Sequence, residues 1–344
     1  MGRTPVANAV ATTTTTDQPL SVWEGDGVTI SEVTEELVRL RRGQPETATR
    51  TACVTLVVVG EDEEEAKAAT SAMHRLGARH PGRTIVLVPE PEAERGIDAR
   101  VALHRSQIEG HPVWSEDIRL RVRGPAARHL DSLIEPLTLP ELPLCVWFVA
   151  AAPAVHDPLV RTADAVIVDL RQIPGAAGDP GPALARLTKL AAERTLVDLS
   201  WTRLTPWRDL LAGMFEPAPY RPFLEAVHAV EVCGLPGPRH LLGGWIASRL
   251  RLPSFAVQLR QEDHVSVVIA ATTEGHSGRF SVERRAGEHL VRARAEADGA
   301  PVNEMVLALP TDTLPWSLGV ALSRPYRDPV YEESLAAAAL LARR

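Results

Sequence analysis

Cysteine is scarce in this sequence. Its three cysteines, Cys53, Cys145 and Cys233, stand singly inside apolar runs, with no C-x-x-C spacing and no histidine at zinc-ligand distance. Small buried hydrophobes are therefore expected, rather than a redox or zinc motif. An excess of basic residues is also missing: 37 Lys and Arg against 44 Asp and Glu leave a formal charge of −7. That balance argues against nucleic acid or an anionic membrane as the main partner. Long apolar runs are absent too, since Val54–Val59 and Leu144–Ala152 fall far short of the ~20 residues a membrane-spanning helix needs. Residues 1–27 carry a threonine run, Thr12–Thr16, and no sustained apolar segment behind a basic start. They read as a flexible leader rather than a secretory signal, and a cytoplasmic protein is expected.

Catalytic signatures are equally thin. The 11 histidines form no H-x-x-x-H or H-E-x-x-H pair, so no metal ligand set is visible. The loop GAAGDPGP (175–182) has no lysine or serine placed as in a P-loop, and the glycines of Gly234–Leu250 stand in neither G-x-G-x-x-G nor GKT order. The first reads as a connector; Gly243 and Gly244, inside a helical pattern, read as close helix packing. After Val54–Val59 a dinucleotide fold would present bare backbone N–H groups to a pyrophosphate, whereas this chain presents the acidic run Glu61–Glu65. Such a run suits a solvated helix start and opposes a nicotinamide cofactor. No cofactor and no metal are expected.

What the sequence does contain is two patterns in succession. With 344 residues and a prior of about 150 per domain, two domains are expected. Val28–Arg42, with Val33, Leu37 and Leu40 at helical spacing, predicts an amphipathic helix opened by Ser31 and closed by Gly43. Val54–Val59 predicts a strand covered on both faces, followed by the acidic helix ending near Gly77, a turn at His80–Arg83 and a strand at Thr84–Val88. Val101–Ile108 and Ile118–Val122 read as half-exposed strands, the second with an arginine face of Arg119, Arg121 and Arg123. A helix at Ala126–Ile134, a buried strand at Cys145–Val149, then Val160–Ala163, Ala165–Leu170, Ala183–Arg194 and Leu196–Leu199 continue the alternation. Beyond Leu210 the pattern changes. Pro217, Pro219 and Pro222 break the chain, short helices follow at Phe223–His228 and within Gly234–Leu250, and four or five strands run from Phe255 to Leu309 with turns at Gly275 and Ala286. Helices Leu314–Leu322 and Val330–Leu341 close the chain. The expected fold class is α/β: a leader (1–27), an N-terminal alternating α/β domain with a largely parallel sheet (28–210), and a C-terminal α+β domain with an antiparallel meander (211–344).

The most distinctive stretch is LVDLSWTRLTPWRDLL, Leu196–Leu211. It reads as a strand, a polar corner and a helix, with Thr205 placed to cap and Pro206 at the first helical position. Ligands and partners gather beyond the carboxyl ends of strands in open α/β sheets, which places Asp198, Ser200, Trp201 and Arg203 well. Ser200 lacks a G-x-S-x-G frame. Trp207, Leu210, Leu211 and Met214 recur at helical spacing, so Trp207 is expected in the core, and Arg208 needs a carboxylate such as Asp198 or Asp209 to hold it at the wrong end of a helix dipole. Trp201 and Arg203 have no periodic explanation. As loop residues of hot-spot type they are candidate partner contacts.

The segments DLSWTRLTPWRDLL, YRPFLEAVHAVEV, PRHLLGGWIASRL and RDPVYEESL, with RTACVTLVVV, HPGRTIVLV and LPLCVWF in the N-terminal part, resemble the OpcA family of glucose-6-phosphate dehydrogenase assembly proteins. The similarity runs from about Ser31 to Leu335, and its most specific element is WTRLTPWR. The resemblance implies a protein with no catalysis of its own that binds glucose-6-phosphate dehydrogenase and promotes its oligomerisation or activation in the oxidative pentose phosphate pathway. Asp198, Leu199, Ser200, Trp201, Thr202, Arg203, Thr205, Pro206, Trp207 and Arg208 occupy the family motif. Of these, Asp198, Ser200, Trp201, Thr202, Arg203 and Arg208 are the expected partner-binding residues, and Thr205, Pro206 and Trp207 the structural ones. The alternative is a phosphosugar-binding enzyme such as a lactonase, using Arg203 and Arg208 for phosphate and Asp198 as acid or base.

Overall fold

The computed structural model describes residues 14–15, 19–42, 53–76, 82–108, 111–284, 287–288, 290–309 and 313–344. The turn and cap residues expected at Gly43, Gly77, His80–Pro81 and Ala286 lie outside them. The chain forms two compact units, Met1–Trp147 and Phe148–Arg344.

In the first unit the elements are β1 (Thr14–Thr15), β2 (Ser21–Gly25), α1 (Ile30–Arg42), β3 (Val54–Val59), α2 (Glu63–Leu76), β4 (Gly82–Glu90), β5 (Gly96–Ile108), β6 (His111–Arg123), α3 (Leu130–Ile134) and β7 (Leu144–Phe148). Strand β4 runs parallel to both β3 and β6, and β5 turns back antiparallel on β6. Hydrophobic spacing decides these elements: Val33, Leu37 and Leu40 of α1 are buried, as are Ile118, Leu120 and Val122 on one face of β6. The arginines on its other face are paired, Arg121 with Glu90 at 2.7 Å and Arg123 with Asp98 at 2.7 Å. The acidic start of α2 works as a cap, with Glu65 N–H donating to Asp62 at 2.9 Å. Helix α1 opens differently from expectation. Thr29, not Ser31, forms a reciprocal box with Glu32, whose carboxylate accepts the Thr29 N–H at 2.7 Å.

Two further expectations are corrected here. Residues 21–25, expected in the leader, form strand β2 on β5, with Trp23 opposite Val101. Cys53, expected inside, is exposed at the start of β3, while Cys145 and Cys233 are buried.

The second unit contains α4 (Pro158–Thr162), β8 (Ala165–Val168), α5 (Gly181–Glu193), β9 (Leu196–Asp198), α6 (Leu199–Arg203), α7 (Thr205–Gly213), β10 (Val227–Gly234), α8 (Pro238–Leu250) and β11 (Val257–Gln261). The meander β12 (Val265–Thr273), β13 (His276–Arg284), β14 (Leu290–Ala297) and β15 (Asn303–Ala308) follows, closed by α9 (Leu314–Ser323) and α10 (Pro329–Leu341). Strands β8 and β9 are parallel. The six-stranded sheet has the order β11-β10-β12-β13-β14-β15, antiparallel except for the β10–β11 pair. The chain is thus mixed α/β, largely parallel and alternating at first and a mostly antiparallel meander later. Gly243 and Gly244 do serve close packing: a Cβ on Gly244 would stand 2.3 Å from the Ser334 carbonyl oxygen and 2.6 Å from the Ala338 nitrogen of α10.

Candidate functional site

Strands β8 and β9 lead into Asp169 and Asp198, and the backbone turns into helix immediately after each. Asp198 caps α6, its Oδ1 accepting the Ser200 N–H at 2.8 Å and the Leu170 N–H at 3.2 Å. Asp169 accepts the Ser200 hydroxyl at 2.6 Å and an Arg203 N–H at 2.8 Å. Both carboxylates are buried. Burial, reinforced by the neighbouring Asp169 charge, pushes the Asp198 carboxyl up to about 7 against the opposing pull of the two backbone N–H bonds and Arg203. The Ser200 hydroxyl is a strut: it donates to Asp169 while accepting the Arg171 N–H at 3.1 Å.

The second layer comes from α10. Tyr331, buried, donates its hydroxyl proton to Asp198 Oδ2 at 3.3 Å, and burial together with that carboxylate raises its phenol well above the ordinary value. Trp201 packs on Tyr331 with ring centroids 5.5 Å apart, and its Nε1–H donates to Asp328 at 2.8 Å. Asp328 is itself the cap of α10, accepting the N–H groups of Val330 and Tyr331. Arg208 lies over the Trp201 ring, its Cζ 3.3 Å from a ring centroid, and donates to Thr205 Oγ1 at 2.9 Å. Burial lowers the Arg208 guanidinium to about 10, with the Asp328 and Asp209 charges opposing.

The structure therefore brings Asp198, Ser200, Trp201, Thr202, Arg203 and Arg208 together, but in places that differ from expectation. Trp201 is 6 % exposed and the Arg203 side chain 6 %; both sit on helix α6, not on a loop. Thr202 turns its hydroxyl back onto the Asp198 carbonyl at 3.1 Å. Thr205 does not cap; the N-cap of α7 is Leu204, without a side-chain bond, and Pro206 fills the first turn. Trp207 is a core residue, as expected. Asp169 escapes a reading of the sequence because nothing in its local surroundings marks it, and Asp328 and Tyr331 are not singled out by it although they stand in a segment that carries the resemblance. The phrase RDPVYEESL holds the signal for the last two.

Beyond this network, Arg171, Arg203, Arg239 and Arg284 line a cavity of about 120 Å³ together with Trp207 and Leu242. It lies where β10 ends and α8 begins, at a turn through Gly237, whose φ of 79° suits glycine. In the first unit, His74, His104 and Asp117 each offer one ligand atom within 4.8 Å of the others, the donor set of a metal site. The contacts are hydrogen-bond distances, 2.5 Å from His74 and 3.2 Å from His104 to the same carboxylate oxygen. Burial favours the neutral acid, but the two imidazoles beside the carboxylate outweigh it and bring Asp117 down to about 2. His74 hydrogen-bonds the carboxylate, whereas His104 Nε2, 3.2 Å away, lies buried outside hydrogen-bond geometry.

Two family profiles match the chain, and both describe a glucose-6-phosphate dehydrogenase subunit: its N-terminal domain over residues 73–189 and its C-terminal domain over residues 194–335. The chain belongs to the OpcA family. Among its relatives, the putative OxPP cycle protein OpcA of Synechocystis sp. is 29 % identical over 186 residues, covering 51 % of this chain and 38 % of the relative. The protein of the same name from Synechococcus elongatus is 26 % identical over 312 residues, covering 78 % and 69 %. That from Nostoc punctiforme is 28 % identical over 200 residues, covering 55 % and 42 %. The chain thus spans from 38 % to 69 % of the length of these OpcA relatives. The C-terminal OpcA profile holds the whole Asp198 to Tyr331 network, and Asp169 falls in the N-terminal one.

Proposed function

We propose that this protein binds glucose-6-phosphate dehydrogenase and supports its assembly into an active oligomer within the oxidative pentose phosphate cycle, without turning over a substrate itself. The observation that carries the reading is the pair of family profiles, both described as domains of a glucose-6-phosphate dehydrogenase subunit. The geometry of the motif supports it. Ser200 and Asp198, the residues an acyl-transfer or acid–base mechanism would use, are committed to bonds that hold α6 and α10 in place. A cytoplasmic setting, beside the dehydrogenase, goes with this reading; among the described residues no helix is long and apolar enough to cross a membrane.

In this reading Asp198, Ser200, Trp201, Thr202 and Arg203 shape the docking surface from beneath, and the side chains that reach the partner are the accessible ones of α7. Arg208 is half-buried on Trp201, Thr205 and Pro206 are partly open, and Asp209 is exposed. The deciding experiment mixes the protein with the dehydrogenase of the same organism, measuring oligomer mass by light scattering and rate at limiting glucose 6-phosphate. A larger assembly and a higher rate are expected. Unchanged mass and rate would sink the proposal, and turnover of a phosphosugar by the isolated chain would favour the enzyme alternative.

A further inference from the structure

We propose that His74, His104 and Asp117 in the first unit are the protein ligands of a divalent transition-metal ion of the Zn²⁺ type. Each residue offers one ligand atom, and the three atoms lie within 4.8 Å of one another. Two imidazole nitrogens and one carboxylate oxygen are donors that Zn²⁺ takes at about 2.0–2.2 Å, with water commonly filling the fourth position of such a three-ligand site. Among the described residues no fourth protein ligand joins the set, which leaves that position for water. The ligands come from three separate elements, α2, β5 and β6. The histidine spacing that argues against a metal in the sequence therefore never tests this site.

His104 carries the inference. It is 5 % exposed, and its Nε2 is buried with no hydrogen-bond partner. Native folds seldom leave a buried polar atom in that state without a reason. Asp117 Oδ2 stands only 3.2 Å from the nitrogen, near enough to bond but outside hydrogen-bond geometry. A metal ion resolves this, because two ligand atoms that converge on a third point need not face each other. For bonds of about 2.0–2.1 Å, two ligands of a tetrahedral ion stand roughly 3.3 Å apart, so the His104 to Asp117 separation already has the required length. The His74 Nε2 hydrogen bond to the same oxygen, at 2.5 Å, has to open when an ion enters. His74 is the ligand best able to move, since its side chain is 19 % exposed. The two imidazole rings lie tilted, with centroids 4.3 Å apart and planes at 47°, both beside the one carboxylate.

The fold holds the ligands unequally. Asp117 on β6 lies opposite Ala102 of β5, and the two-residue period of a strand puts His104 on the same face of the sheet. Helix α2 covers that face: Arg119, two residues beyond Asp117, reaches Glu63 at 3.3 Å and Thr70 at 3.4 Å, and His74 stands one helical turn beyond Thr70. Two ligands thus sit on paired strands and the third arrives on the helix. An ion held by all three would pin the end of α2 to the sheet. No bond is made or broken there, and the inference concerns the first unit alone, without resting on the dehydrogenase reading.

The test is titration of the chelator-treated full chain with Co²⁺, followed by visible absorption, and with Zn²⁺, followed by calorimetry and thermal unfolding. One Co²⁺ per chain is expected, with the strong visible bands of four-coordinate rather than aqueous, six-coordinate Co²⁺, lost when Zn²⁺ displaces it. Zn²⁺ should raise the thermal midpoint, and Mg²⁺, which prefers an all-oxygen octahedral shell, should not. His104→Gln and Asp117→Asn, with folding checked by circular dichroism, should each weaken Zn²⁺ binding roughly a hundredfold or more, beyond the loss an outer-shell partner gives. Because a core substitution can disturb the sheet, X-ray absorption of the zinc-loaded wild type supplies a readout without any variant: a shell of nitrogen and oxygen with imidazole scattering. No saturable binding, a Co²⁺ spectrum like that of the aqueous ion, a shell without imidazole, or unchanged affinity in folded variants overturns the proposal; the last would move the ion to another cluster, such as Glu262, Asp263 and His264.

Discussion

The indole N–H of Trp201 donates to Asp328 at 2.8 Å, tying the core of the family motif to the cap of a helix 127 residues further along the chain. Removing the ring leaves Asp328 short of a donor and opens a hole against Tyr331. Trp201→Ala is therefore expected to lower unfolding stability by about 3–5 kcal/mol, and Trp201→Phe, which keeps most of the packing, by about 1–2 kcal/mol. Urea unfolding followed by circular dichroism measures both. A Trp201→Ala protein as stable as the wild type would show that the residue serves only a partner.

Asp209 is the exposed charge next to that buried corner. If α7 faces the dehydrogenase, Asp209→Arg should weaken the complex by about 1–2 kcal/mol and leave the thermal midpoint within a degree or so, because surface substitutions seldom move stability beyond about 0.5 kcal/mol. Pull-down affinity and a melting curve on the same preparation check it. Unchanged affinity would place the interface elsewhere.

Asp198 makes the stability of the second unit depend on pH. Its carboxyl is raised from 3.8 to about 7 by burial and by Asp169, so in that window the folded chain keeps a proton that the unfolded chain has released. The fold then loses stability as pH rises between those values, and the full penalty stands above about 7. Asp198→Asn removes the titration, so its stability relative to the wild type should improve between about pH 5 and about pH 8. Urea midpoints of both proteins across that range check it. Asp117 in the first unit has the opposite sign. Lowered from 3.8 to about 2, it stabilises above 3.8, and that contribution disappears as pH falls towards 2.

Gly244 and Gly243 are adjacent but should respond unequally. A Cβ at Gly244 meets α10 backbone at 2.3 Å, whereas at Gly243 the nearest atom is the tip of Leu259 at 2.8 Å. Gly244→Ala is expected to destabilise by about 1–3 kcal/mol by prising α8 from α10. Gly243→Ala should cost clearly less, since a leucine terminus can rotate away and alanine favours a helix over glycine. Equal losses in thermal unfolding would show that the helix pair is looser than its contact distances state.

Elements carried by a strong period are legible in the sequence. Val33, Leu37 and Leu40 declare α1, the Val54–Val59 run declares β3, and the alternation in Ile118, Leu120 and Val122 declares one face of β6. Strand β10 is not, because its segment HAVEVCG reads locally as the tail of a helix and the approach to a turn, although it lies between β11 and β12 in the six-stranded sheet. Within the candidate site, Asp198, Ser200 and Arg203 are legible as a polar corner after a strand. What local sequence does not show is which way Trp201 points, since its burial is decided by Tyr331 and Asp328, far along the chain. The arginine cavity is hidden for the same reason: its four cations come from separate elements, and each alone resembles an ordinary surface charge.

The distance in sequence between Trp201 and Asp328 also sets an order of events during synthesis. As the motif leaves the ribosome, the aspartate that receives its indole proton and the tyrosine that meets Asp198 have yet to be translated. Helix α6 can form early, but its docking against α10 requires closing a loop of 127 residues, a slow, non-local step. A nascent chain halted before Asp328 would leave Trp201 uncovered and Asp198 without its tyrosine donor, so quality control has a hydrophobic marker to read until α10 arrives.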